Sequence, residues 1–568
     1  MRQPLIDLRQ KMQENGFDAY LIPTTDYHGS EYVNDYFKCR KFVSGFTGSA
    51  GTLIVTMKEA KLWTDGRYFL QAAAQLENSG IELMKMGQPG VPTITEYLES
   101  VLDDEQVLAF DGRVMDYGFG RQLESKFNVA YDKDLVDEIW PDRPQITPSK
   151  IYTLDESVTG ESASSKFARV RDFMAGKGAN YHLITQLEDI AWLYNLRGND
   201  VANNPVFFAF ALITPTEDRL YVMDETFDGG LPYLQIFQDI QQLTAGTMLL
   251  DESVVSYAMM KLLPDDVQVI HQVNPCTLMK ALKNETEIVA TKTAHLKDGA
   301  AMVNFIFWLK QNIGKMEMTE ISVSNYLEIC RRDQPGCYDL SFDTIAGYGS
   351  NGAIVHYFAT PETDKTLEPC GFLLVDSGGQ YKDGTTDITR TIALGPLTDE
   401  EKLHYTAVLR SHIALSSATF TAGTTGAELD ALTRKPLQDL GQDYNHGTGH
   451  GVGHLLSCHE GPQSISPRGT KYAILPGMIT SDEPGVYLEG KYGIRLENEI
   501  LCKELPSGHL GFEPITFCPF ERDAILVDML TADERQWIND YHAAVKEKLS
   551  TLVGAEVADW LAEVTKEI

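Results

Sequence analysis

Hydrophobic residues near the start of the chain recur at helical spacing and are followed by a short apolar run. Leu5, Leu8 and Met12 lie three or four residues apart, and residues 19–22 then have the composition of a strand. The same order recurs over residues 166–185, where a helical pattern again precedes a run of strand-forming residues. We therefore predict two related α/β domains in tandem.

Two longer helices are predicted after residue 284. Each starts at a capping box, in which a polar residue is followed three positions later by glutamate: Asn284 with Glu287, and Thr398 with Glu401. Thr319 and Thr425 each open a second candidate helix, which strand-like segments follow. This order predicts a duplicated helix–helix–sheet unit, and a cleft between its halves is a natural place for a functional site.

Proline-rich and polar stretches divide the chain. Pro141, Pro144 and Pro148 interrupt regular structure, and a second break lies at Asn274–Pro275. The predicted fold class is multidomain, with α/β structure in the first two domains and α+β structure in the third. The predicted domains are residues 1–145, 146–275 and 276–510, with a C-terminal extension over 511–568 packed on the third.

Composition narrows the classes of function. A hydrophobic content of 43% suffices for large buried cores, whereas a net charge of −33 repels phosphate backbones, so we expect no nucleic-acid partner. The chain has no long apolar run and no apolar secretion signal, so we expect no membrane association and a cytoplasmic location. Its eight cysteines lack a CxxC pair and are expected to be reduced thiols.

Two aspartates flank a glycine-rich segment that has the pattern of a hairpin. An apolar run ends at Asp376, and Asp387 lies in the alternating segment 385–390. If these strands pair, the two carboxylates face each other, and like charges so placed need a cation or a shared proton between them. Taken alone, the segment favours two separate turn or surface aspartates.

Three histidines alternate with glycines in HGTGHGVGH, residues 446–454. Each of its four glycines would cost about 1 kcal/mol relative to alanine in a helix, so we predict an extended strand or a tight turn. The side chains of His446, His450 and His454 would then point the same way. A single histidine is more often a packing residue than a ligand, but three in nine residues favour ligands.

Two further segments carry carboxylates. Glu483 lies in SDEPG, where a strand ends at a Pro-Gly turn. Arg495, Glu497 and Glu499 share one face of the alternating segment 493–500. Alone, this face would be a solvated strand edge with a local ion pair. Together with the aspartates and histidines, it indicates a metal site.

These segments together resemble a known family. The ordered set VDSGGQYKDGTTDITRT, HGTGHGVGH, HEGP, SDEPGVY and GIRLENE resembles the pita-bread metallopeptidases, which include aminopeptidase P, prolidase and methionine aminopeptidase. The resemblance implies a pita-bread catalytic domain with five metal ligands: Asp376, Asp387, His450, Glu483 and Glu497. Asp387 and Glu497 would bridge two ions. Asp376 would complete one of them, and His450 with Glu483 the other.

The implied ligand set has the charge and hardness of a two-metal site. Its four carboxylates balance two divalent cations. One imidazole among oxygen ligands suits Mn²⁺ best, with Co²⁺, Fe²⁺ or Zn²⁺ as alternative ions. On this assignment the ions polarise the scissile carbonyl, and a metal-bridging hydroxide attacks it. Glu483 would carry the proton to the leaving proline nitrogen.

Other residues match supporting positions of the family. By resemblance, His356, His446 and His459 line the proline pocket and stabilise the tetrahedral intermediate. Tyr487 and Arg495 match positions that support the site.

The first two domains resemble the three-domain, cytosolic-type aminopeptidase P. Residues 45–51, 62–69 and 190–198 match its two creatinase-like domains, whereas prolidase and methionine aminopeptidase resemble only the last domain. Trp63 and Arg67 are expected to be structural, although Arg67 is also a candidate to reach the cleft. The resemblance implies an Xaa-Pro aminopeptidase that acts, as a homodimer, on peptides with proline at the second position.

Two other functions fit parts of the pattern. An Xaa-Pro dipeptidase (prolidase) has the same metals but a closed site that admits only dipeptides, so cleavage of a tripeptide separates it from an aminopeptidase. A non-catalytic, peptide-binding protein of the pita-bread fold would have lost metal ligands, and all five are present here.

Overall fold

The computed structural model describes all residues from 1 to 568. The chain divides into two units. The first comprises Met1–Glu156 and Glu161–Thr277, and the second comprises Ser157–Gly160 and Leu278–Ile568. None of the helices combines the length and the apolar character that crossing a membrane requires. All eight cysteines have free thiols.

The first unit begins with the predicted helix and strand. Leu5, Leu8 and Met12 are fully buried on the inner face of the helix Gln3–Asn15. The strand Ala19–Ile22 follows and is buried along its whole length. The spacing of the apolar residues therefore predicted both the helix and its buried face.

Two six-stranded sheets in this unit share one topology. In each sheet a central strand pairs antiparallel with one neighbour and parallel with the other. In spatial order the first sheet contains Glu82–Lys85, Ala60–Thr64, Thr52–Thr56, Ala19–Ile22, Val107–Phe110 and Asn128–Ala130. The second contains Leu231–Pro232, Asp218–Val222, Ala209–Ile213, Tyr181–Ile184, Gly246–Leu250 and Val267–His271. The common strand order confirms the prediction of two related α/β domains in tandem.

Short helices connect these strands. Up to residue 281 the α-helices are Gln3–Asn15, Cys39–Ser44, Phe69–Gln75, Ile94–Val101, Tyr117–Glu124, Glu156–Thr159, Ala163–Lys177, Leu187–Tyr194, Gln235–Gln241, Tyr257–Met260 and Pro275–Ala281. A further small ribbon pairs Tyr152–Thr153 with Leu196–Arg197.

The second unit twice repeats a pair of helices followed by strands. The long helices Glu285–Asn312 and Asp399–Ser416 start at the predicted capping boxes, in which both reciprocal hydrogen bonds form. The shorter helices Glu320–Arg332 and Gly426–Gln438 follow them and are also opened by capping boxes. The predicted duplication of a helix–helix–sheet unit is confirmed.

Each helix pair is followed by a sheet. The first sheet has three strands, Ile345–Tyr348, Phe372–Ser377 and Ile388–Ala393. The second has six, in the spatial order Thr419–Phe420, Leu510–Pro514, Asn498–Glu504, Ile479–Asp482, Gly449–Gly451 and Glu460–Ile465. Smaller ribbons contain Cys337–Leu340, Gly379–Tyr381 and Gly384–Thr385, and Gly485–Leu488 with Tyr492–Arg495.

The helices at the end of the chain complete the apolar core of this unit. They span Ala532–Leu549 and Ala555–Val564. Val545 and Leu561 are fully buried in the same cluster as Tyr405 of the long helix Asp399–Ser416. The core therefore includes these two C-terminal helices as well as the duplicated unit.

A buried ion pair joins the first helix pair of this unit. Arg331 Nε donates to Asp298 Oδ1 at 2.8 Å, and the Tyr381 hydroxyl donates to the same oxygen at 2.8 Å. Arg331 is 0% exposed and Asp298 is 2% exposed. Removing one partner would leave an uncompensated buried charge, which is more costly than the loss of a surface pair.

We expect Arg331→Leu to lower the free energy of unfolding by about 3–5 kcal/mol, because it leaves the Asp298 carboxylate buried without its cation. The neighbouring Arg332, which pairs with Glu328 and has a 46% exposed side chain, provides the matched control. Arg332→Leu should cost no more than about 1 kcal/mol. Urea denaturation of both variants measures the difference, and equal losses would contradict this account.

Candidate metal centre

Two neighbouring strands place the first pair of carboxylates. Asp376 lies near the end of the buried strand Phe372–Ser377, and Asp387 directly precedes the strand Ile388–Ala393. The strands form the predicted antiparallel hairpin, but Asp376 is opposite Thr389 rather than Asp387. The register differs from the prediction because the connection folds into a ribbon of its own. Asp387 is therefore the diagonal neighbour of Asp376.

The histidine motif is extended, as predicted. Its central residues form the short strand Gly449–Gly451. A Cβ added to Gly449 would lie only 2.0 Å from the carbonyl oxygen of Ser481. Glycine therefore permits the close packing of the two chain segments. His450 projects from this strand, with Nε2 3.4 Å from Asp387 Oδ2 and 3.7 Å from Glu483 Oε1.

The prediction that the three histidines of the motif point the same way is wrong. His446 and His450 approach Glu483, with nitrogen–oxygen distances of 3.9 and 3.7 Å. His454 instead contacts Thr291, with Nδ1 3.1 Å from the threonine hydroxyl. The regular strand ends at residue 451, so the alternation of side chains does not continue to His454.

The segment around Glu497 also differs from the prediction. In place of one alternating strand it forms two, Tyr492–Arg495 and Asn498–Glu504, which belong to different sheets. Glu497 lies in the two-residue gap between them. Arg495 and Glu497 are 1% exposed and Glu499 is 0% exposed, so these residues do not form a solvated strand edge.

The five predicted ligands converge on one cluster in the second unit. Their potential ligand atoms, with those of His459, form three triads whose atoms lie within 4.8 Å of one another. The triads are Asp376 with Asp387 and Glu497, His450 with Glu483 and Glu497, and Asp387 with His450 and His459. Asp387, His450 and Glu497 each belong to two triads, and of these three only the carboxylates have two oxygens with which to bridge a pair of ions.

This donor set fits divalent cations. Asp376 and Asp387 each have a buried carboxylate oxygen, Oδ1, without a hydrogen-bond partner. Buried charged oxygens without partners are costly, and ligation of a cation satisfies them. Carboxylates with one or two imidazoles are ligands for oxygen-preferring divalent ions. In the triad with Asp387 and His450, His459 lies close enough to contact an ion. This position is additional to the substrate role predicted for it.

Burial and mutual repulsion raise the pKa values of several cluster residues. Burial raises the pKa of Glu483 to about 7, although His450 and Arg495 oppose the rise. Burial, and then the charge of Asp387, raise the pKa of Glu497 well above its usual range. Burial opposes the charged imidazole of His450, but Asp387 and Glu483 together raise its pKa to about 9. In the absence of a cation the cluster therefore retains protons at neutral pH.

Arg495 links the acidic cluster to Tyr487 and His446. Its Nη2 donates to Asp376 Oδ2 at 2.6 Å, and its Nη1 donates to the Tyr487 hydroxyl at 2.8 Å. That hydroxyl also lies 2.8 Å from His446 Nε2. Because His446 Nδ1 lies 2.7 Å from the Gly447 carbonyl oxygen and must donate to it, Nε2 accepts from the tyrosine. The structure thus brings three of the predicted supporting residues together.

The remaining predicted residues have different surroundings. His459 packs edge to face on His450, with ring centroids 4.3 Å apart. His356 is half-buried in a turn that follows a short 3₁₀ helix. Arg67 lies in the first unit, where its guanidinium makes two hydrogen bonds to the carboxylate of Asp65.

Three residues that the sequence did not assign to the site contact predicted ligands. The Thr389 hydroxyl donates to Glu497 Oε2 at 2.7 Å, and Cys458 Sγ lies 3.2 Å from Asp387 Oδ2. Glu499 Oε1 accepts the backbone N–H of Asp387 at 2.8 Å. Thr389 follows Asp387 by two residues, and the alternation of side chains along a strand predicts that both lie on the same face. No local pattern marks Cys458.

Family models match the chain in four stretches. The model described as "Metallopeptidase family M24" matches residues 290–504, and "C-terminal region of peptidase M24" matches residues 508–568. The "Creatinase/Prolidase N-terminal domain" matches twice, at residues 5–143 and 142–287. The two N-terminal matches and the M24 match confirm the predicted fold class.

Two relatives resemble the chain over nearly its whole length. The protein of Laccaria bicolor named "Probable Xaa-Pro aminopeptidase P" is 38% identical, and the match covers 98% of this chain and 92% of that protein. "Aminopeptidase P2" of Arabidopsis thaliana is also 38% identical, with 97% and 86% covered.

Solved structures extend this comparison. X-prolyl aminopeptidase from Caenorhabditis elegans, described as a cytosolic enzyme with a di-nuclear active site, matches with a TM-score of 0.96 at 33% identity, covering 100% of this chain and 99% of that one. The prolidase of Pyrococcus horikoshii is 24% identical with a TM-score of 0.51, and covers 63% of this chain and 99% of its own. The prolidase therefore shares the fold over part of the chain only.

The stability that bound Mn²⁺ adds to the protein should increase as pH rises from about 4.5 to about 9. The pKa of Glu483 rises from 4.5 to about 7 and that of His450 from 6.5 to about 9 on folding, so the folded chain holds extra protons in this window. The stability that these protons contribute is complete at the lower end and is lost as each group titrates. Saturating Mn²⁺ should displace the protons and abolish the decline. Denaturation across this pH range with EDTA and with Mn²⁺ tests the expectation, which a difference between the two profiles that shrinks as pH rises would refute.

Proposed function

The chain belongs to metallopeptidase family M24, and we propose that it is a metal-dependent Xaa-Pro aminopeptidase. It hydrolyses the peptide bond between an N-terminal residue and a following proline. One observation carries the proposal, the convergence of the five predicted ligands in a single, partly buried cluster. Similarity along the whole chain to proteins named Xaa-Pro aminopeptidase supports the specificity.

Two divalent cations would be held by this cluster. Asp387 and Glu497, the only carboxylates that belong to two triads each, would bridge them. Asp376 would complete one site, and His450 with Glu483 the other. When bound, such ions polarise a substrate carbonyl and lower the pKa of a water molecule towards neutrality. The predominance of carboxylate oxygens favours Mn²⁺ over Co²⁺, Fe²⁺ or Zn²⁺.

Glu483 is the carboxylate best placed to move a proton at the substrate. Its side chain is 19% exposed, against 3% for Asp387 and 12% for Asp376. Substrate can therefore approach it more easily than the other acidic residues. Glu483 would take up a proton during attack on the carbonyl and deliver it to the leaving proline nitrogen.

The histidines outside the ligand set would act on the peptide. His356, His446 and His459 would line the proline pocket. His356 and His459 would stabilise the developing oxyanion of the tetrahedral intermediate, whereas both ring nitrogens of His446 already have partners. The hydrogen bond from Tyr487 holds the imidazole of His446, and Arg495 in turn holds Tyr487. These two residues would therefore support the site by orienting His446.

We further propose that the protein acts as a homodimer in the cytoplasm on peptides with proline at the second position. The description of the Caenorhabditis elegans protein as a cytosolic enzyme supports this location. The resemblance to aminopeptidase P supports the homodimer. Arg67 is proposed as a supporting residue, and its bidentate pairing with Asp65 fits a role in holding local structure.

The wild-type chain loaded with Mn²⁺ should release the first residue from an Xaa-Pro-Xaa tripeptide and should contain two ions per chain. Asp387→Ala should lower the metal content and abolish turnover, because it removes a bridging ligand. Asp383→Ala is the matched control, since Asp383 lies in the same hairpin and pairs with Lys297. Metal analysis and a cleavage assay on each protein measure both effects. Cleavage of Xaa-Pro dipeptides alone would identify a dipeptidase, and full activity of Asp387→Ala would refute the metal assignment.

His459→Ala should reduce turnover by roughly 10²–10³, the usual effect of removing an oxyanion donor, while both ions remain bound. His356→Ala and His446→Ala should reduce cleavage of proline peptides similarly. His454→Ala is the control from the same motif, because His454 belongs to none of the three triads and contacts Thr291. That variant should lose stability but retain its turnover when folded. Turnover, metal content and melting temperature of the four variants separate the roles. Metal loss in His459→Ala would make it a ligand.

A further inference from the structure

Two fully buried residues, His295 and Glu499, lie behind the predicted bridging ligand Asp387. We propose that this pair positions Asp387 for metal binding by holding its backbone in place, an inference that rests on the proposed function of the cluster. His295 is 1% exposed and Glu499 is 0% exposed, so neither residue can meet substrate. They would act through Asp387 and are positioning residues.

The backbone N–H of Asp387 depends on Glu499. Asp387 lies between the strands Gly384–Thr385 and Ile388–Ala393, outside both, and its N–H donates to Glu499 Oε1 at 2.8 Å. A buried N–H without a partner is costly, so the glutamate fixes where the chain passes at this point. The position of the Asp387 carboxylate follows from the position of its backbone.

Glu499 is itself held from two sides. Its backbone N–H donates to the Thr516 hydroxyl at 2.8 Å, and its Oε2 lies 3.1 Å from His295 Nε2. His295 Nδ1 lies 3.3 Å from the same Thr516 hydroxyl. Because His295 belongs to the long helix Glu285–Asn312, the arrangement ties that helix to the ligand Asp387.

The pair also connects ligands from the two sheets. Glu499 follows the ligand Glu497 by two residues and lies in the strand Asn498–Glu504, whereas Asp387 precedes a strand of the three-stranded sheet. A single side chain therefore fixes one predicted bridging ligand relative to the segment that carries the other. Residues that orient a ligand in this way typically change metal affinity by 10–100-fold when they are replaced.

The decisive comparison is between Glu499→Leu and Glu499→Gln. Leucine removes both oxygens, and we expect the dissociation constant for Mn²⁺ to rise by about 10–100-fold. Glutamine keeps an acceptor for the Asp387 N–H and a donor towards a neutral His295, so it should retain most of the affinity. Titration of the metal-free protein with Mn²⁺, without substrate, measures the constants. Unchanged affinity in Glu499→Leu, or equal losses in both variants, would overturn the proposal.

Glu320→Leu is the matched control for the loss of a buried glutamate. Glu320 is 0% exposed in the same unit, and its carboxylate accepts hydrogen bonds from the Tyr348 N–H and the Tyr357 hydroxyl. The Glu320→Leu variant should lose stability and keep its Mn²⁺ affinity, and a loss of affinity equal to that of Glu499→Leu would overturn the proposal.

Thr516→Val is the second test if Glu499→Leu does not fold. It removes the hydroxyl that both His295 and Glu499 contact, and it should weaken Mn²⁺ binding several-fold. Wild-type affinity in that variant would count against the pair.

The same titrations separate this inference from the proposed function. A wild-type chain that binds no Mn²⁺, or that cleaves no Xaa-Pro peptide, would refute the proposed function. Normal wild-type binding, lost in Asp387→Ala but unchanged in Glu499→Leu, would refute only the positioning role of His295 and Glu499.

Discussion

Repulsion between buried carboxylates is the constraint on which the second unit depends. Two unit charges 4 Å apart repel by about 4 kcal/mol at an effective dielectric constant of 20, and the cluster brings four carboxylates together. Arg495 offsets part of this repulsion through Asp376, and the Thr389 hydroxyl stabilises Glu497. The Oδ1 atoms of Asp376 and Asp387 nevertheless have no donor. The protein alone leaves the cluster incompletely neutralised, which is the condition that favours cation binding.

The duplicated fold explains how such a cluster can be assembled. Asp376 lies in the three-stranded sheet, and Asp387 directly precedes the strand Ile388–Ala393 of the same sheet. His450 lies in the six-stranded sheet. Glu483 directly follows the strand Ile479–Asp482 of the six-stranded sheet, and Glu497 directly precedes its strand Asn498–Glu504. Asp376 and Asp387 already repel each other within the first half, and bringing the two halves together adds the repulsion of both with Glu483 and Glu497.

The sequence predicted those features that depend on neighbouring residues. The capping boxes at Asn284 and Thr398 predicted where two long helices begin, because a cap is formed within four residues. The predicted register of the hairpin was wrong because the connection between its two strands forms a ribbon of its own. The interruption of the strand at Glu497 was not predicted because the two flanking strands join different sheets. Both errors come from interactions between distant segments, which local periodicity does not contain. The ligand residue types were visible from the motifs, whereas their spatial grouping required the fold.

Several contacts that support the site join segments far apart in the chain, and no local pattern shows which residues will meet. Arg495 and Asp376 are separated by 119 positions, and Thr516 and His295 by 221. Arg495 has a further consequence, since the same guanidinium neutralises the ligand Asp376 and donates to Tyr487. Tyr487 in turn donates to His446, so one side chain contacts both the acidic cluster and the tyrosine that holds this histidine. An unbroken chain of hydrogen bonds therefore runs from Asp376 through Arg495 and Tyr487 to His446, and it ties the acidic cluster physically to a histidine outside it.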